Sequence, residues 1–474
     1  MKRRLFFAGL GGVYLIAFTS LGSQVLGLYG ARGIRPIRAL LDGVKAVTGR
    51  ERYRLWPTLL WRDASDRALV RLCELGQWSG ALVVAGVAPR LTAAASWALY
   101  LSFVTVGREF LGFQWDALLL EAGLYAIVAA PPGLAWRRTV EPTPRPAVWL
   151  MRWLVFRLHF ESGLCKLQSR DPTWRRCTAC AYHYETQPLP TPLAWWAHLL
   201  PRSLQRLSTG ATLAVECAVP LLAFTPRRSR RVAFVILTGL QALIELTGNY
   251  GFFNLLTALL DLWLLDEELG PRRRARRRPR WWRTVAALLA SAPAFALSGA
   301  LLCARLHAVR RLPRAIVRLH QAVAPLRSIN AYGLFAVMTT RRPELVVEGS
   351  DDGHHWRAYR FRYKPGPVGR PPRFIAPHQP RLDWQMWFAA LGPPPAWFER
   401  FLVRLLEGSP DVLALLGPNP FPDRPPRYVR ALVYDYHMTD RATRRRTGAW
   451  WRRELVGVYF PPCGLSGAEG VSAR

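Results

Sequence analysis

The stretch FRLHFESGLCKLQSRDPTWRRCTACAYHYETQPLPTPLAWW, residues 156–196, decides how this chain folds. It begins inside an apolar segment that carries Arg157, His159 and Lys166, and it ends in a loop rich in proline, tyrosine and tryptophan. An apolar segment near the ~20 residues that span a bilayer, followed at once by an aromatic loop, is typical of a helix leaving a membrane. The stretch therefore predicts a membrane-embedded helix joined to a loop at the membrane surface.

The composition of the whole chain indicates a membrane protein as well. The 474 residues are 51% hydrophobic, yet the formal net charge is +34. The apolar residues fall into blocks and the arginines into short runs between them, which is the pattern of the positive-inside bias. No nucleic-acid-binding motif accompanies the positive charge, so we predict that the partner is a lipid bilayer and not nucleic acid.

The chain divides into three predicted regions. Residues 1–30 form an uncleaved N-terminal anchor helix, because the run Leu5–Leu28 is long for a signal peptide and lacks a small-residue cleavage site. Residues 31–310 form a multi-span helical domain with an extracytoplasmic loop at 168–208, and residues 325–474 form a separate domain. The predicted fold class is a polytopic α-helical membrane protein with a small C-terminal α+β soluble domain.

Arginine-rich loops set the predicted topology of the membrane region. Residues 31–66 are basic and aromatic and predict an interfacial segment. Further spans are predicted at 68–89, 91–107, 110–130, 147–167, 209–225, 284–303, and within 232–266 as two short spans broken at Gly248–Gly251. With a cytoplasmic N-terminus, the basic loops fall inside, as the positive-inside rule requires: these are 131–146, 226–231 and 270–283. The loop 168–208 and the C-terminal domain then lie outside.

After residue 325 the pattern changes to that of a soluble domain. Alternating apolar residues bounded by turn residues predict strands at 334–338, 344–348, 356–363, 427–437 and 456–460. Apolar residues at helical spacing predict helices at 382–391 and 396–406, and Ser409 before Pro410 predicts the cap of a third.

The predicted span 147–167 carries three polar residues spaced seven apart, Arg152, His159 and Lys166. Residues at this spacing lie nearly on one helical face, and ionisable groups inside a membrane are costly unless paired or hydrated. The other predicted intramembrane polar residues are Arg108, Glu109, Asp116, Glu121 and Glu161, of which the acidic ones are candidate partners. Either these groups hold the bundle together as ion pairs, or they form a catalytic site.

In the catalytic interpretation Lys166 is a general base or nucleophile, since apolar surroundings favour a neutral lysine, and His159 assists it. No nucleophile elbow, zinc-protease motif, P-loop or dinucleotide fingerprint accompanies them. No cofactor is therefore predicted, and whether the chain is an enzyme is left open at this point.

The loop after the span contains the residues predicted to bind a client or substrate. Aromatic residues and prolines at this density suit a rigid platform for a peptide or an acyl chain, or an aromatic belt at the membrane surface. The predicted binding residues are Trp174, Tyr182, His183, Tyr184, Glu185 and Gln187, together with Trp384 of the C-terminal domain. Cys177 and Cys180 can form a disulfide or redox pair, but no second Cys pair follows, so no metal site is predicted.

Several long motifs in the chain resemble the lipase maturation factor family. They are REFLGFQWDALLLEAG at 108–123, DPTWRRCTACAYHYETQPLPTPLAWWAHLLP at 171–201, GNYGFFNLLTALL at 248–260, RYKPGPVGRPP at 362–372, HQPRLDWQMWFAAL at 378–391 and NPFPDRPPRYVRA at 419–431. The resemblance covers most of the chain from about residue 100. Ala181 departs from it, since the family pattern leads us to expect an acidic residue before Tyr-His-Tyr.

The family resemblance implies an integral membrane protein needed for the folding and assembly of secreted lipases. In animals it implies the endoplasmic reticulum membrane, with the C-terminal domain in the lumen. Arginine greatly outnumbers lysine, which occurs only at Lys2, Lys45, Lys166 and Lys364. This bias is typical of a GC-rich bacterial coding background, and in a bacterium we would expect the plasma membrane and a client other than an animal lipase.

A fainter resemblance supports the enzymatic alternative. FESGLCKLQSRDPTW at 160–174 is similar to a pattern of the membrane-embedded vitamin K-dependent carboxylase and its bacterial relatives, in which the lysine acts as a base. This resemblance implies that Lys166 is a general base acting on a lipophilic or peptide substrate. A transporter is a third possibility, prompted by the broken run at Gly248–Gly251, although no paired repeat accompanies it.

Overall fold

A computed structural model describes residues 2–131, 133, 142–266, 281–308, 311–466 and 470–473. It confirms the predicted fold class, a helical membrane domain followed by a small domain built on a sheet. The predicted basic loops 131–146 and 270–283 lie largely outside the described residues.

The helices of the first part are α1 (Lys2–Gly22), α2 (Val25–Tyr29), α3 (Ile37–Thr48), α4 (Arg52–Leu55), α5 (Asp66–Ala85), α6 (Pro89–Val106), α7 (Gln114–Ala129), α8 (Arg145–Gln168), α9 (Pro172–Arg175), α10 (Ala179–Thr186), α11 (Pro192–His198), α12 (Arg202–Ala218), α13 (Arg227–Thr247), α14 (Phe253–Asp261), α15 (Trp281–Arg305) and α16 (Arg314–Val323).

Among the described residues, four helices are long and apolar enough to cross a membrane. They are α1, α5, α15, and α12 together with the 3₁₀ turn that extends it to Phe224. These helices coincide with four of the predicted spans, at 5–28, 68–89, 209–225 and 284–303. The predicted spans at 91–107, 110–130 and 147–167 are also helical, as α6, α7 and α8, and the last two of these helices carry the buried polar groups described below.

Helix α1 packs inside the helical domain and not at its edge. Its side chains Phe6, Leu10 and Phe18 are fully buried. It crosses α5 at two glycines, Gly11 and Gly80, and a Cβ added to Gly11 would lie 2.7 Å from the Gly80 carbonyl oxygen. The two backbones approach this closely because neither residue has a side chain, a common arrangement where helices meet in membranes.

The segment 31–66 contains a short amphipathic helix, α3. Its apolar residues recur at helical spacing, as Ile37, Leu40, Leu41 and Val44, and Ile37 and Leu41 are buried while the opposite face is exposed. A helix of this kind lies along an interface instead of crossing it. The interfacial position of this segment stays a prediction.

The C-terminal domain is built on one five-stranded antiparallel sheet with the strand order β2-β1-β3-β4-β5. The strands are β1 (Pro343–Ser350), β2 (Arg357–Ala358), β3 (Tyr428–Met438), β4 (Trp451–Ser466) and β5 (Gly470–Ala473). Four helices accompany it, α17 (Arg381–Ala389), α18 (Ala396–Leu406), α19 (Pro410–Leu413) and α20 (Arg441–Thr447). The stripe Trp397, Phe401 and Leu405 of α18 is buried, and each such side chain is worth about 1.5–3 kcal/mol.

Most predicted elements of this domain are confirmed, and two are corrected. Residues 334–338 form no strand, because this segment lies along the membrane domain: the Phe335 carbonyl accepts a hydrogen bond from the Trp174 indole at 2.9 Å, and the Met338 N–H donates to Asp171 at 3.0 Å. The predicted strand 356–363 is reduced to the two residues of β2. Ser409 caps α19 as predicted, with its hydroxyl accepting from the Val412 N–H.

Candidate functional site

A cavity of about 970 Å³ lies beside α8, between α12, α13 and the loop that follows α8. Its walls are mostly apolar. Lys166 and His159, the two residues predicted to be catalytic, both line it. The structure therefore brings these two side chains to one space, as their spacing on the helix predicts.

Lys166 is held by a carboxylate that the sequence reasoning did not name. Its Nζ lies 2.7 Å and 3.0 Å from the two carboxylate oxygens of Glu216 on α12, and it donates to the Ser162 carbonyl at 3.1 Å. The Trp174 ring lies beneath it, with its centroid 5.3 Å away. Because Lys166 and Glu216 are both buried, each satisfies the charge of the other.

Close approach of α8 and α12 makes this ion pair possible. A Cβ on Gly163 would lie 2.6 Å from the Cys217 sulfur and 3.0 Å from Cβ of Glu216. Only a residue without a side chain fits at this crossing.

The other two members of the polar column also have acidic partners. His159 Nε2 lies 3.1 Å from Asp261 at the end of α14, and both side chains are buried. Arg152 donates to the Trp263 carbonyl at 3.0 Å and to Asp266 at 3.1 Å. The expectation that the acidic segment 108–121 supplies these partners is wrong, because the carboxylates come from α12, from α14 and from the residues that follow α14.

The acidic segment instead binds three other arginines. Asp116 forms a two-pronged ion pair with Arg381 of α17, at 2.9 Å and 3.0 Å, and both side chains are buried. Glu121 pairs with Arg157 of α8, and Glu109 pairs with Arg35. The motif at 108–123 is therefore bound directly by the motif at 378–391.

Glu121 and Glu161 also anchor the chain that leaves the membrane domain. Glu121 accepts from the Asn330 N–H at 2.9 Å and from the Tyr332 hydroxyl at 2.7 Å, and Glu161 accepts from the Tyr332 N–H at 2.7 Å. Arg108 differs from the other predicted intramembrane polar residues, since it is exposed and lies over the Trp56 ring. The ion-pair interpretation thus accounts for the geometry of the buried members of this set.

Sequence reasoning missed five residues of these pairs, Glu216, Asp261, Asp266, Arg35 and Arg381, and it also missed the buried Arg342 described below. One pattern could have identified Glu216, which is the only ionisable residue of the predicted span 209–225 apart from Cys217. Nothing local distinguishes Arg381 or Arg342 from the many exposed arginines of this chain.

Arg342 fastens the loop 168–208 to the C-terminal domain. It is fully buried, and it donates to the carbonyls of Glu185 at 2.7 Å, Gln187 at 2.5 Å and Pro188 at 2.9 Å. Its own charge is met by Glu344, at 2.8 Å, which Lys364 also contacts. Three backbone acceptors on one guanidinium give the loop a defined path across the domain.

The break between α13 and α14 joins the same assembly. Pro190 and Gly248 form an isolated antiparallel bridge, and Asn249 is buried against the C-terminal domain. The Asn249 side chain donates to the Arg373 carbonyl at 2.8 Å and accepts from the Ile375 N–H at 2.7 Å. The segment 248–251 between α13 and α14 therefore contacts both the loop and the C-terminal domain and links them to the membrane domain.

Three of the seven residues predicted to bind a client are buried. Gln187, Trp174 and Trp384 are almost without exposure, and Gln187 accepts a hydrogen bond from the Tyr250 hydroxyl at 2.8 Å. The Trp384 indole N–H has no acceptor among the described residues. In this conformation the three side chains have contacts within the protein, so their role in client binding stays a prediction.

The remaining loop residues are more accessible. Tyr182 is exposed and Tyr184 is half-buried. Glu185 lies 2.8 Å from His437 and 3.1 Å from His198, so it also connects the loop to β3. The Cys177 and Cys180 thiols are free, and no group of three or more metal-binding side chains occurs in the part of the chain that the structure describes.

His183 lies at the junction of cavity and loop. Its Nε2 lies 3.2 Å from the Tyr250 hydroxyl, which itself donates to Gln187, so Nε2 is the donor to Tyr250. Burial, aided by the positive charge of Lys166, lowers the pKa of His183 to about 4. The imidazole is therefore neutral at pH 7.

Comparison with known proteins accounts for these motifs. The family model of the lipase maturation factor transmembrane domain matches residues 1–271, and that of the lipase maturation factor C-terminal domain matches residues 328–461. The chain belongs to the lipase maturation factor family. Lipase maturation factor 2 of Homo sapiens is 37% identical over 592 aligned residues, covering 98% of this chain and 83% of the relative.

Other relatives extend the same likeness. Lipase maturation factor 2 of Gallus gallus is 38% identical, covering 97% of this chain and 81% of the relative, and lipase maturation factor 1 of Mus musculus is 32% identical, covering 98% and 87%. No solved structure matches this member of the family. Family and helices together identify a multi-pass membrane protein.

Two earlier expectations gain nothing from the comparisons. The relatives compared are vertebrate proteins and do not support the bacterial origin inferred from the arginine bias. The matches likewise give no support to the carboxylase-like alternative.

Proposed function

We propose that this protein is a membrane-anchored maturation factor for secreted lipases. One observation carries the proposal: proteins named lipase maturation factors resemble this chain over 97–98% of its length, through both the membrane domain and the C-terminal domain. The buried contacts of Arg342, Arg381 and Asn249 support it further, since they make the loop and the C-terminal domain one rigid surface on a membrane anchor.

The surface that meets the client lies outside the cytoplasm in this proposal. The positive-inside rule supports this side, because the segment 226–231, which forms the start of α13 instead of the predicted loop, contains four arginines and falls inside with a cytoplasmic N-terminus. The compartment is then the endoplasmic reticulum lumen in an animal cell, or the cell exterior in a bacterium. A secreted lipase passes through either space while it folds.

Strand β4 offers a place for the client. Strand β5 pairs only with residues from Cys463 on, so residues 451–462 have β3 on one side and no strand among the described residues on the other. Leu455, Val456 and Val458 along this edge are exposed. An exposed apolar edge strand is a template for pairing with an extended segment of another chain, as a partly folded client would provide.

The loop contributes to the same side of the molecule. Trp195 of α11 is buried in a cluster with Tyr436 and Trp451, and its indole donates to the Thr439 carbonyl at 2.7 Å. Its neighbour Trp196 is exposed, and the guanidinium of Arg441 at the start of α20 lies 5.3 Å from its ring centroid. We therefore extend the proposed client surface from the edge of β4 to Trp196.

A secretion assay tests the proposal. The full chain is expressed in cells from which the endogenous family member has been deleted, and secreted lipase activity is measured per amount of lipase protein. We expect the wild-type chain to restore activity, and Leu455→Lys with Val458→Lys to reduce it roughly fivefold or more, the loss typical of a residue that carries binding energy. Phe374→Lys, at another exposed apolar position of the domain, is the matched control and should retain activity.

The assay tests the maturation function and the client surface on β4 separately. No rescue by the wild-type chain would refute the maturation function. Full activity of the β4 variant at normal protein level would instead refute only this client surface.

The variant Lys166→Arg distinguishes a maturation factor without catalytic activity from an enzyme that uses Lys166 as a general base. Arginine keeps the positive charge beside Glu216 but does not readily lose its proton. A maturation factor should tolerate this change, with secreted lipase activity close to that of the wild type. Loss of activity at an unchanged protein level would favour the enzymatic alternative.

A further inference from the structure

The cavity beside α8 has its mouth on the apolar outer faces of α12 and α13. Leu207 of α12 and Val235 and Leu243 of α13 line it, and each is more than 60% exposed. Helix α12 is also one of the helices long and apolar enough to cross the bilayer. The mouth is thus continuous with a surface that faces acyl chains, so a ligand can enter sideways from the membrane.

The inner wall of the cavity is polar. Ser162, His159 and the Lys166–Glu216 pair line it, together with Gln241 and Asn254. Gln241 and Asn254 are buried, and their amide oxygens have no hydrogen-bond donor among the described residues. Because the terminal torsion of an amide side chain is broad, such an oxygen can turn towards a hydroxyl group of a ligand.

The charges of the wall indicate a ligand without net charge. Among the described residues the lining contains no Lys, Arg, Asp or Glu other than Lys166 and Glu216, and these neutralise each other at 2.7 Å. A charged headgroup would lose its hydration here without gaining a counter-charge. An inserted peptide would leave backbone N–H and C=O groups without partners in an apolar space, which is equally costly.

We propose that this cavity binds one neutral acylglycerol with a free hydroxyl, such as a diacylglycerol. The acyl chains lie between α12 and α13, and the glycerol hydroxyl lies at Gln241 and the Lys166–Glu216 pair. A volume of about 970 Å³ is at the upper end of the ~300–1,000 Å³ of ligand pockets and suits a lipid more than a small metabolite. The proposal does not depend on lipases being the client.

Photolabelling of the purified full-length protein in detergent tests this site. The probes are a diacylglycerol and a free fatty acid, each with a diazirine in the acyl chain, and adducts are mapped by mass spectrometry of peptides. We expect the diacylglycerol to label α12 and α13 around the cavity at least about tenfold more than the fatty acid, a difference of ~1.4 kcal/mol.

Two glycines, one lining the cavity and one outside it, provide a matched pair of variants. Gly239 lines the cavity and Gly299 of α15 does not, and a Cβ on either would meet no atom within 4 Å. Gly239→Phe fills cavity space, and it should reduce labelling by the diacylglycerol about tenfold. Gly299→Phe adds the same side chain elsewhere and should leave labelling unchanged.

Equal labelling of the two variants, or adducts spread evenly over all exposed helices, would overturn the proposal, since either result describes bulk lipid. Equal labelling by the fatty acid would overturn the neutral headgroup. If Gly239→Phe does not give a monodisperse protein, Gln241→Leu keeps the volume and removes the hydrogen-bonding amide. It should then abolish the preference for the diacylglycerol, and an unchanged preference would contradict the proposal.

Discussion

Replacing Arg381 should loosen the C-terminal domain from the membrane domain. Its guanidinium contacts both carboxylate oxygens of Asp116, at 2.9 Å and 3.0 Å, and it also donates to the Phe110 carbonyl at 2.5 Å. Both charged side chains are almost completely buried. Arg381→Met leaves the Asp116 carboxylate buried without a counter-charge, and breaking such a pair costs about 3–5 kcal/mol.

This energy can be measured through the exposure of the connecting segment. Residues 328–338 join the two domains, and Ser328, Tyr332 and Met338 within them are buried, so a protease cleaves this segment mainly when the C-terminal domain has moved away. At low protease concentration the cleavage rate follows the population of the open form. A cost of about 3–5 kcal/mol corresponds to roughly 10²–10⁴-fold in that population, and we expect cleavage to accelerate accordingly until the chain is open most of the time.

A double-mutant cycle separates the ion pair from simple loss of packing. Asp116→Leu combined with Arg381→Met removes both charges, so the double variant should be less damaged than the sum of the two single variants. Arg373→Gln changes an exposed arginine of the same domain and should have no effect. Strictly additive effects of the two substitutions would show that the pair does not hold the domains together, and the reasoning would fail.

Three further predictions concern the loop and the cavity. The pKa of His183 is about 4 in the folded state against an ordinary 6.5, so between these pH values the folded state binds fewer protons than the unfolded state. The free energy of unfolding should therefore fall as the pH drops from 6.5 to 4. His183→Gln should flatten this part of a plot of melting temperature against pH, and an unchanged plot would contradict a buried neutral imidazole. Gly163→Ala should separate α8 from α12 and lower the melting temperature of the purified protein by about 1–2 °C, because about 1–2 kcal/mol of overpacking is expected where a Cβ meets a sulfur at 2.6 Å. Gly43→Ala, at an open position, is the control, and equal effects would refute the close crossing. Arg342→Met removes the guanidinium that binds three loop carbonyls, and it should make the loop 168–208 cleavable by protease. Arg341→Met, at the exposed neighbouring position, is the control and should leave the loop resistant. A loop that stays resistant in Arg342→Met would show that Arg342 does not hold it.

Local patterns in the sequence were sufficient for much of the architecture. Apolar blocks of bilayer length predicted α1, α5, α12 and α15, because the need to satisfy every backbone group in lipid leaves little alternative to a helix. Alternation and spacing likewise predicted the strands β1 and β3 and the stripe of α18. The long motifs identified the family before any contact was known.

The partners of the buried charges were decided by tertiary structure. That Arg152, His159 and Lys166 share a face of α8 follows from the helical repeat, but that Lys166 meets Glu216 depends on how α8 and α12 cross at Gly163. The carboxylates of the segment 108–121 pair instead with Arg35, Arg157 and the distant Arg381.

The tertiary structure also divided the loop residues that composition had grouped together. Trp174 and Gln187 have the residue types of a binding platform, yet packing buries them, and Tyr182 and Trp196 are exposed. Helices and strands arise from periodic patterns that the sequence shows directly. A contact between segments far apart in the sequence depends on packing of the whole chain. For that reason the cavity, its ion pair and the open edge of β4 became apparent only in the folded structure.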